Sequence, residues 1–133
     1  MDRNATDTEK KRLPKLVIGL IRGELARGLE NQFRQLGWRV CSADTSEEVR
    51  AKAFGGRAAA VVLPAAVFAG ESGFLTCAKL VRALPKTRVV LVGPDTEECE
   101  RLALFAGAAG YVEETATVAE LAAAVTGQPV KSG

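Results

Sequence analysis

Five short apolar runs punctuate the chain, and each of the first four is followed by a segment with helical spacing before the next begins. This alternation restricts the possible folds more than any other feature. The runs are Lys15–Ile21, Trp38–Ala43, Ala58–Leu63, Arg88–Val92 and Gly110–Val112. The first, third and fourth are almost continuously apolar rather than alternating, as strands buried on both faces are. Pro64 follows the third and is expected to end it, because proline has no amide hydrogen for a central ladder.

The intervening segments carry helix signals. Leu25, Leu29, Phe33 and Leu36 recur at spacings of four, four and three from Glu24 to about Gln35, and Gly37 closes that helix. Asp44-Thr45-Ser46-Glu47-Glu48 combines capping side chains with early carboxylates and predicts a helix to about Phe54, stopped at Gly55-Gly56. After a loop from Ala65 to Glu71, Ser72–Leu84 places Phe74, Cys77, Leu80, Val81 and Leu84 on one stripe before Pro85. Gly93-Pro94 makes a turn, Asp95-Thr96 opens a fourth helix ending near Ala106-Gly107, and Thr117–Thr126 forms a fifth with Val118, Leu121, Ala122 and Val125 inward.

Parallel neighbours need crossover helices, so strands alternating with helices predict a parallel sheet covered on both faces. The expected architecture is α/β: a flavodoxin-like (βα)5 three-layer sandwich with strand order 2-1-3-4-5. The expected organisation is a flexible N-terminal tail over 1–14, a folded domain over 15–126 and a C-terminal tail over 127–133.

Composition narrows the chemistry. The 133 residues have room for about one domain, and 47% hydrophobic residues suffice for a core. Histidine is absent, which removes imidazole base catalysis, His-ligated metal and a Ser-His-Asp triad. Cys41, Cys77 and Cys99 form no CxxC pair and are expected to be small buried hydrophobes in a reducing compartment. The first fourteen residues lack the apolar core of a signal peptide, and no segment reaches membrane-spanning length, so a cytoplasmic location without membrane association is expected. No basic run sits among aromatics, which argues against nucleic acid as a partner. Net charge is +2, yet residues 1–94 carry +7 and residues 95–127 carry −6, a split that suits a complementary partner or head-to-tail self-contact. Asp95, Glu97, Glu98 and Glu100 open a helix and are read as dipole partners rather than a metal cluster; Arg22, Arg27 and Arg34 are read as a solvated face.

In a sheet of this kind ligands bind beyond the carboxyl ends of the strands. Here those ends offer Leu20, Ile21, Arg22 and Gly23; then Pro64 to Val67; then Gly93, Pro94 and Asp95; then Glu113 and Glu114. The stretch Ala103-Leu-Phe-Ala-Gly-Ala-Ala-Gly-Tyr-Val112 resembles the passage from fourth helix to fifth strand in receiver domains of bacterial response regulators. Lys15-Leu-Val-Ile, Leu36-Gly-Trp-Arg-Val40 and Thr45-Ser-Glu-Glu-Val49 extend the resemblance over about residues 15–126. The family transfers a phosphoryl group to an Asp after the third strand, using Mg²⁺ on an acidic pair, a hydroxyl after the fourth strand and a Lys after the fifth. The resemblance places Leu20 and Ile21 at the acidic pair, Pro64 at the phosphoacceptor, Gly93 at the hydroxyl and Glu114 at the lysine. None of these can hold Mg²⁺ or a phosphoryl dianion in the family's way. The proline usual after the lysine is Thr115.

The resemblance therefore implies a degenerate, pseudo-receiver domain: no enzyme, no cofactor and no metal, but a phosphorylation-independent bacterial signalling module. It would bind another signalling protein or itself, as a homodimer. The expected interface is the family's output face, with Leu104, Phe105, Tyr111 and Glu113; Phe105 stands where a solvent-facing Glu is usual, and Tyr111, with no hydroxyl at Gly93 to couple to, is expected to be static and half-buried with its own hydroxyl available to a partner. Leu20, Ile21, Pro64 and Phe68 are expected to plug the acidic pocket. The alternative is a sensor of a nucleotide or metabolite at the carboxyl edge, served by backbone amides of Gly23, Gly70 and Gly93. An enzyme working through Cys, Lys or carboxylates is the third and weakest alternative.

Overall fold

The structure, a computed structural model, describes residues 13–19, 23–68 and 71–127, apart from the side chains of residues 67 and 68. Strands β1 (Lys15–Gly19), β2 (Arg39–Ala43), β3 (Ala60–Pro64), β6 (Arg88–Gly93) and β7 (Gly110–Glu113) form a parallel sheet in the order β2-β1-β3-β6-β7. Counting the strands of this sheet alone, that is the expected 2-1-3-4-5 order. Helices α1 (Glu24–Gln35), α2 (Ser46–Phe54), α3 (Gly73–Ala83), α4 (Glu97–Phe105) and α5 (Val118–Thr126) supply the crossovers.

The apolar runs are buried on both faces because alternate side chains feed two cores. Val17, Val61, Leu63, Val89 and Leu91 point to α2, α3 and α4, where they meet Val49, Cys77, Leu80 and Ala103. Leu16, Ile18, Val62, Val90 and Val92 point the other way, onto Leu29 and Phe33 of α1 and Leu121 and Val125 of α5. Each fully buried Leu, Val or Phe contributes roughly 1.5–3 kcal/mol relative to exposure. Trp38 sits edge-on to Phe33, with ring centroids 4.8 Å apart, and covers the β2 side of the second core.

Helix starts follow the capping residues, one position along from Asp44 in the case of α2. Thr45, Ser72, Thr96 and Thr117 each accept an amide hydrogen three residues on, and Thr117 completes a capping box with Glu120. Carboxylates crowd the first turn of α4 and remain exposed, in keeping with the dipole. Arg27 and Arg34 are exposed, and Arg34 pairs with Glu30 on its own helix; Arg22 lies outside the described residues.

Three local expectations need correction. Pro64 belongs to β3 and pairs with Val92. The ladder continues past it, with the Ala65 amide donating to the Val92 carbonyl at 2.8 Å. By alternation, the proline nitrogen faces β1, where the pairing with β3 runs to Ile18↔Val62, so the ladder that continues past Pro64 is the one with β6, which needs no hydrogen from the proline. The segment from Ala65 to Glu71 is not all loop: β4 (Val67–Phe68) and β5 (Glu71–Ser72) pair antiparallel. Only Cys77 is fully buried; Cys41 and Cys99 are half-exposed because they lie on the edge strand β2 and the flank of α4. Burial raises the Cys77 thiol to about 11. The run Lys15–Ile21 is a strand to Gly19, and its last two residues are outside the described residues.

Gly73, the first residue of α3, is held against the end of β3. Its amide hydrogen reaches the Ala65 and Ala66 carbonyls, and a Cβ there would overlap the Pro64 carbonyl oxygen. Gly73→Ala is therefore expected to destabilise the fold by about 3 kcal/mol, the upper range for overpacking. Gly56→Ala, where a Cβ meets nothing closer than the Lys15 side chain at 3.5 Å, is expected to leave stability within about 1 kcal/mol. Urea unfolding of the two variants checks the contrast.

Candidate functional site

The carboxyl edge of the sheet assembles from the ends of β3, β6 and β7. The Glu114 amide donates to the Gly93 carbonyl at 3.0 Å, and a Cβ on Gly93 would lie 3.1 Å from that of Ala65. Pro64, Gly93 and Glu114 thus share one edge, while the Glu114 side chain is exposed. Leu20, Ile21 and Gly70, and the side chain of Phe68, lie outside what the structure describes. Gly19 closes β1 tightly: a Cβ there would stand 2.6 Å from Val49 Cγ2 and 2.7 Å from Leu63 Cδ2. Among the described residues no group of three or more His, Cys, Asp or Glu side chains is placed to hold a metal ion.

Tyr111 crosses from β7 to this edge. Its hydroxyl donates to the Pro94 carbonyl at 2.6 Å, which holds the ring in the static, half-buried position expected of it. Glycine at position 93 makes room for it, since a Cβ there would lie 2.6 Å from the hydroxyl oxygen. Burial raises the tyrosine pKa, and Cys99 together with the carboxylates of Glu114 and Glu100 adds to the rise.

Sequence reasoning missed the acid that anchors the β4–β5 hairpin. The Glu71 carboxylate, 14% exposed, accepts from Arg50 of α2 at 3.0 Å, from Lys79 of α3 at 2.6 Å and from the Thr76 hydroxyl. The signal was available: Glu71 is the only acid between Glu48 and Asp95. Burial acts to raise its pKa, but the hydrogen bonds from Lys79 and Thr76 and the Arg50 and Lys79 charges outweigh it, and the net shift is downward.

The expected interface residues fall on two flanks of α4. Leu104, 74% exposed, and Tyr111 line one shallow groove with Glu100 and Ala108. Phe105, 94% exposed, turns to the other flank with Leu102, Glu98 and Arg101. Leu102 was not singled out, although its spacing of three from Phe105 puts both on one helical flank. Glu113 is exposed at the end of β7.

No family model and no curated protein matches the sequence. The fold does match solved structures of receiver domains. A response regulator from Burkholderia pseudomallei, whose structure contains a phosphorylated aspartic acid, superposes with a TM-score of 0.73 at 18% identity, over 84% of this chain and 66% of that one. This chain therefore spans just under two thirds of that protein. The signal receiver domain of NarL from Mycobacterium tuberculosis gives 0.72 at 23% identity, over 86% and 94% of the two chains. A two-component response regulator from Clostridium difficile gives 0.71 at 18% identity, over 86% and 93%. The chain has the receiver fold, and it shares that fold with proteins of two-component signalling.

Two outcomes test this geometry. Gly93→Ala is expected to cost about 1–3 kcal/mol by crowding the tyrosine hydroxyl, and distinctly less when Tyr111→Phe removes that oxygen; a double-mutant cycle on denaturation free energies measures the coupling. Glu71→Gln is expected to lower stability at pH 7 by about 2 kcal/mol, the scale of hydrogen bonds to charged groups. A lowered folded pKa stabilises above the ordinary value of 4.5 and loses that contribution as pH falls through the folded value, so wild type and variant should approach each other in urea titrations as pH is taken progressively below 4.5.

Proposed function

We propose that this chain is a signalling module on the receiver fold that works by protein–protein contact and without phosphorylation, as a cytoplasmic domain with no catalytic activity and no cofactor. The observation that carries this reading is Pro64 at the end of β3, on the same edge as Gly93 and Glu114. The neighbour from Burkholderia pseudomallei carries a phosphorylated aspartic acid. A proline ring has no nucleophile to accept a phosphoryl group, glycine has no hydroxyl to hold one, and a glutamate repels the dianion that a lysine would attract. Phosphorylation is thus without an acceptor at that position, and the exposed apolar surface of α4 is left to carry the output.

That surface supports contact as its work. Phe105 and Leu104 are the most exposed large apolar side chains among the described residues. An aromatic presented to solvent on a rigid helix is the kind of anchor from which binding hot spots are built. No helix among the described residues is long and apolar enough to cross a membrane.

Incubation with Mg²⁺ and acetyl phosphate is expected to give no covalent phosphate adduct by intact mass. Mg²⁺ with beryllofluoride is expected to leave the amide spectrum unchanged; saturable shifts around Gly93 and Glu114 would overturn phosphorylation independence. In capture from a bacterial lysate, Phe105→Glu is expected to lose the bound protein while retaining the wild-type melting temperature. Equal recovery by wild type and variant moves the contact off α4.

A further inference from the structure

At the opposite, amino edge of the sheet, α2 and α3 end in two loops that leave an open groove of about 690 Å³ between them. Phe54, 48% exposed, forms one wall; Ala83, Leu84 and Pro85 form the other. Its rim is cationic, with Arg57 on one side and Lys86 on the other. Neither forms an ion pair among the described residues. Between Glu48 and Asp95 the lone acid, Glu71, is already bound to Arg50 and Lys79, so nothing in this stretch neutralises the rim.

Arg57 is held there at a cost. Its φ is +50°, and it is the sole non-glycine residue with positive φ among the described residues. Two glycines precede it, yet the left-handed position goes to the arginine. A side chain kept in a conformation that glycine adopts more easily points to a use for the side chain.

We propose that this groove receives the α4 flank of a second copy of the chain, with Phe105 seated between the apolar walls and Glu98 set against Arg57 and Lys86. The proposal rests on the reading of α4 as a contact surface and names what it contacts. Charge complementarity selects this occupant: α4 bears Glu97, Glu98 and Glu100 against one cation, Arg101, and none of the three carboxylates has an ion-pair partner among the described residues. Shape agrees, because Phe105 is 94% exposed and the groove offers apolar walls with only the small Ala58 and Ala59 side chains between them. Helices here run antiparallel to the strands, so the last turns of α2, α3 and α4 all lie at the amino edge. Knob and groove share one pole, and two copies related by a two-fold axis exchange them, which closes the assembly as a dimer.

Sedimentation velocity from about 1 μM to 1 mM tests it. Wild type is expected to dimerise, less so as salt rises. Phe105→Lys, and separately the pair Arg57→Glu with Lys86→Glu, are each expected to weaken dimerisation by about 30-fold or more, the effect of losing one strong hot spot. Mixing these two defective proteins is expected to restore association in part, because one has an intact groove and the other an intact knob. Arg57→Gly is expected to weaken dimerisation while holding or raising the melting temperature, which separates the contact from folding. A groove variant that dimerises like wild type while Phe105→Lys is monomeric overturns the groove as the docking site and leaves the α4 contact reading standing. Wild type that stays monomeric over the whole range overturns self-association, whatever the lysate capture returns.

Discussion

The arrangement depends on the two-sided burial of three adjacent strands. Leu16 and Val17 of β1, Val61 and Val62 of β3, and Val89, Val90 and Leu91 of β6 have no exposed surface. Their backbone groups therefore have no water to turn to and must bond to neighbouring strands. That requirement fixes who lies beside whom, and the crossover helices fix the direction. Side-chain chemistry has no room along the strands, so it is displaced to the two edges where strands hand over to helices.

Those edges have different characters. The carboxyl edge is crowded: Gly73 touches the end of β3, Gly93 admits the Tyr111 hydroxyl, and Gly19 closes between Val49 and Leu63. At these three positions the space a side chain would take is filled by the chain's own atoms, and glycine is what permits the filling. The amino edge is open, apolar-walled and cationic at Arg57 and Lys86. On the proposed reading, recognition lies on helix surfaces and at the other end.

How much of this was legible in the sequence follows from what sequence patterns report. Continuous apolar runs and spacings of three and four report which side of an element is buried, so the strands, the five helices and most core residues could be read directly. Such patterns say little about which partner a polar group finds across space. Tyr111 bonds to Pro94, 17 residues away, and Arg50 to Glu71, 21 residues away; neither distance has a periodic signature. Pro64 was misplaced because the rule about proline in ladders depends on which neighbour its nitrogen faces: alternation turns it toward β1, and the ladder to β6 continues through the Ala65 amide. Cys41 and Cys99 were misjudged because their residue type was weighed without their position on an edge strand and a helix flank.

The bond from Tyr111 to Pro94 bears on the thermodynamics of recognition. A tyrosine that swings between inward and outward rotamers must be frozen when a partner arrives, and the lost rotational freedom is charged against the complex. Here the ring is fixed during folding, between a glycine that makes space for it and a carbonyl that holds it. Its entropy is surrendered once, before any encounter. Any partner that the flank lined by Leu104 and Tyr111 were to meet would find a fixed shape, and its occupancy would follow partner concentration and not an internal state of the ring.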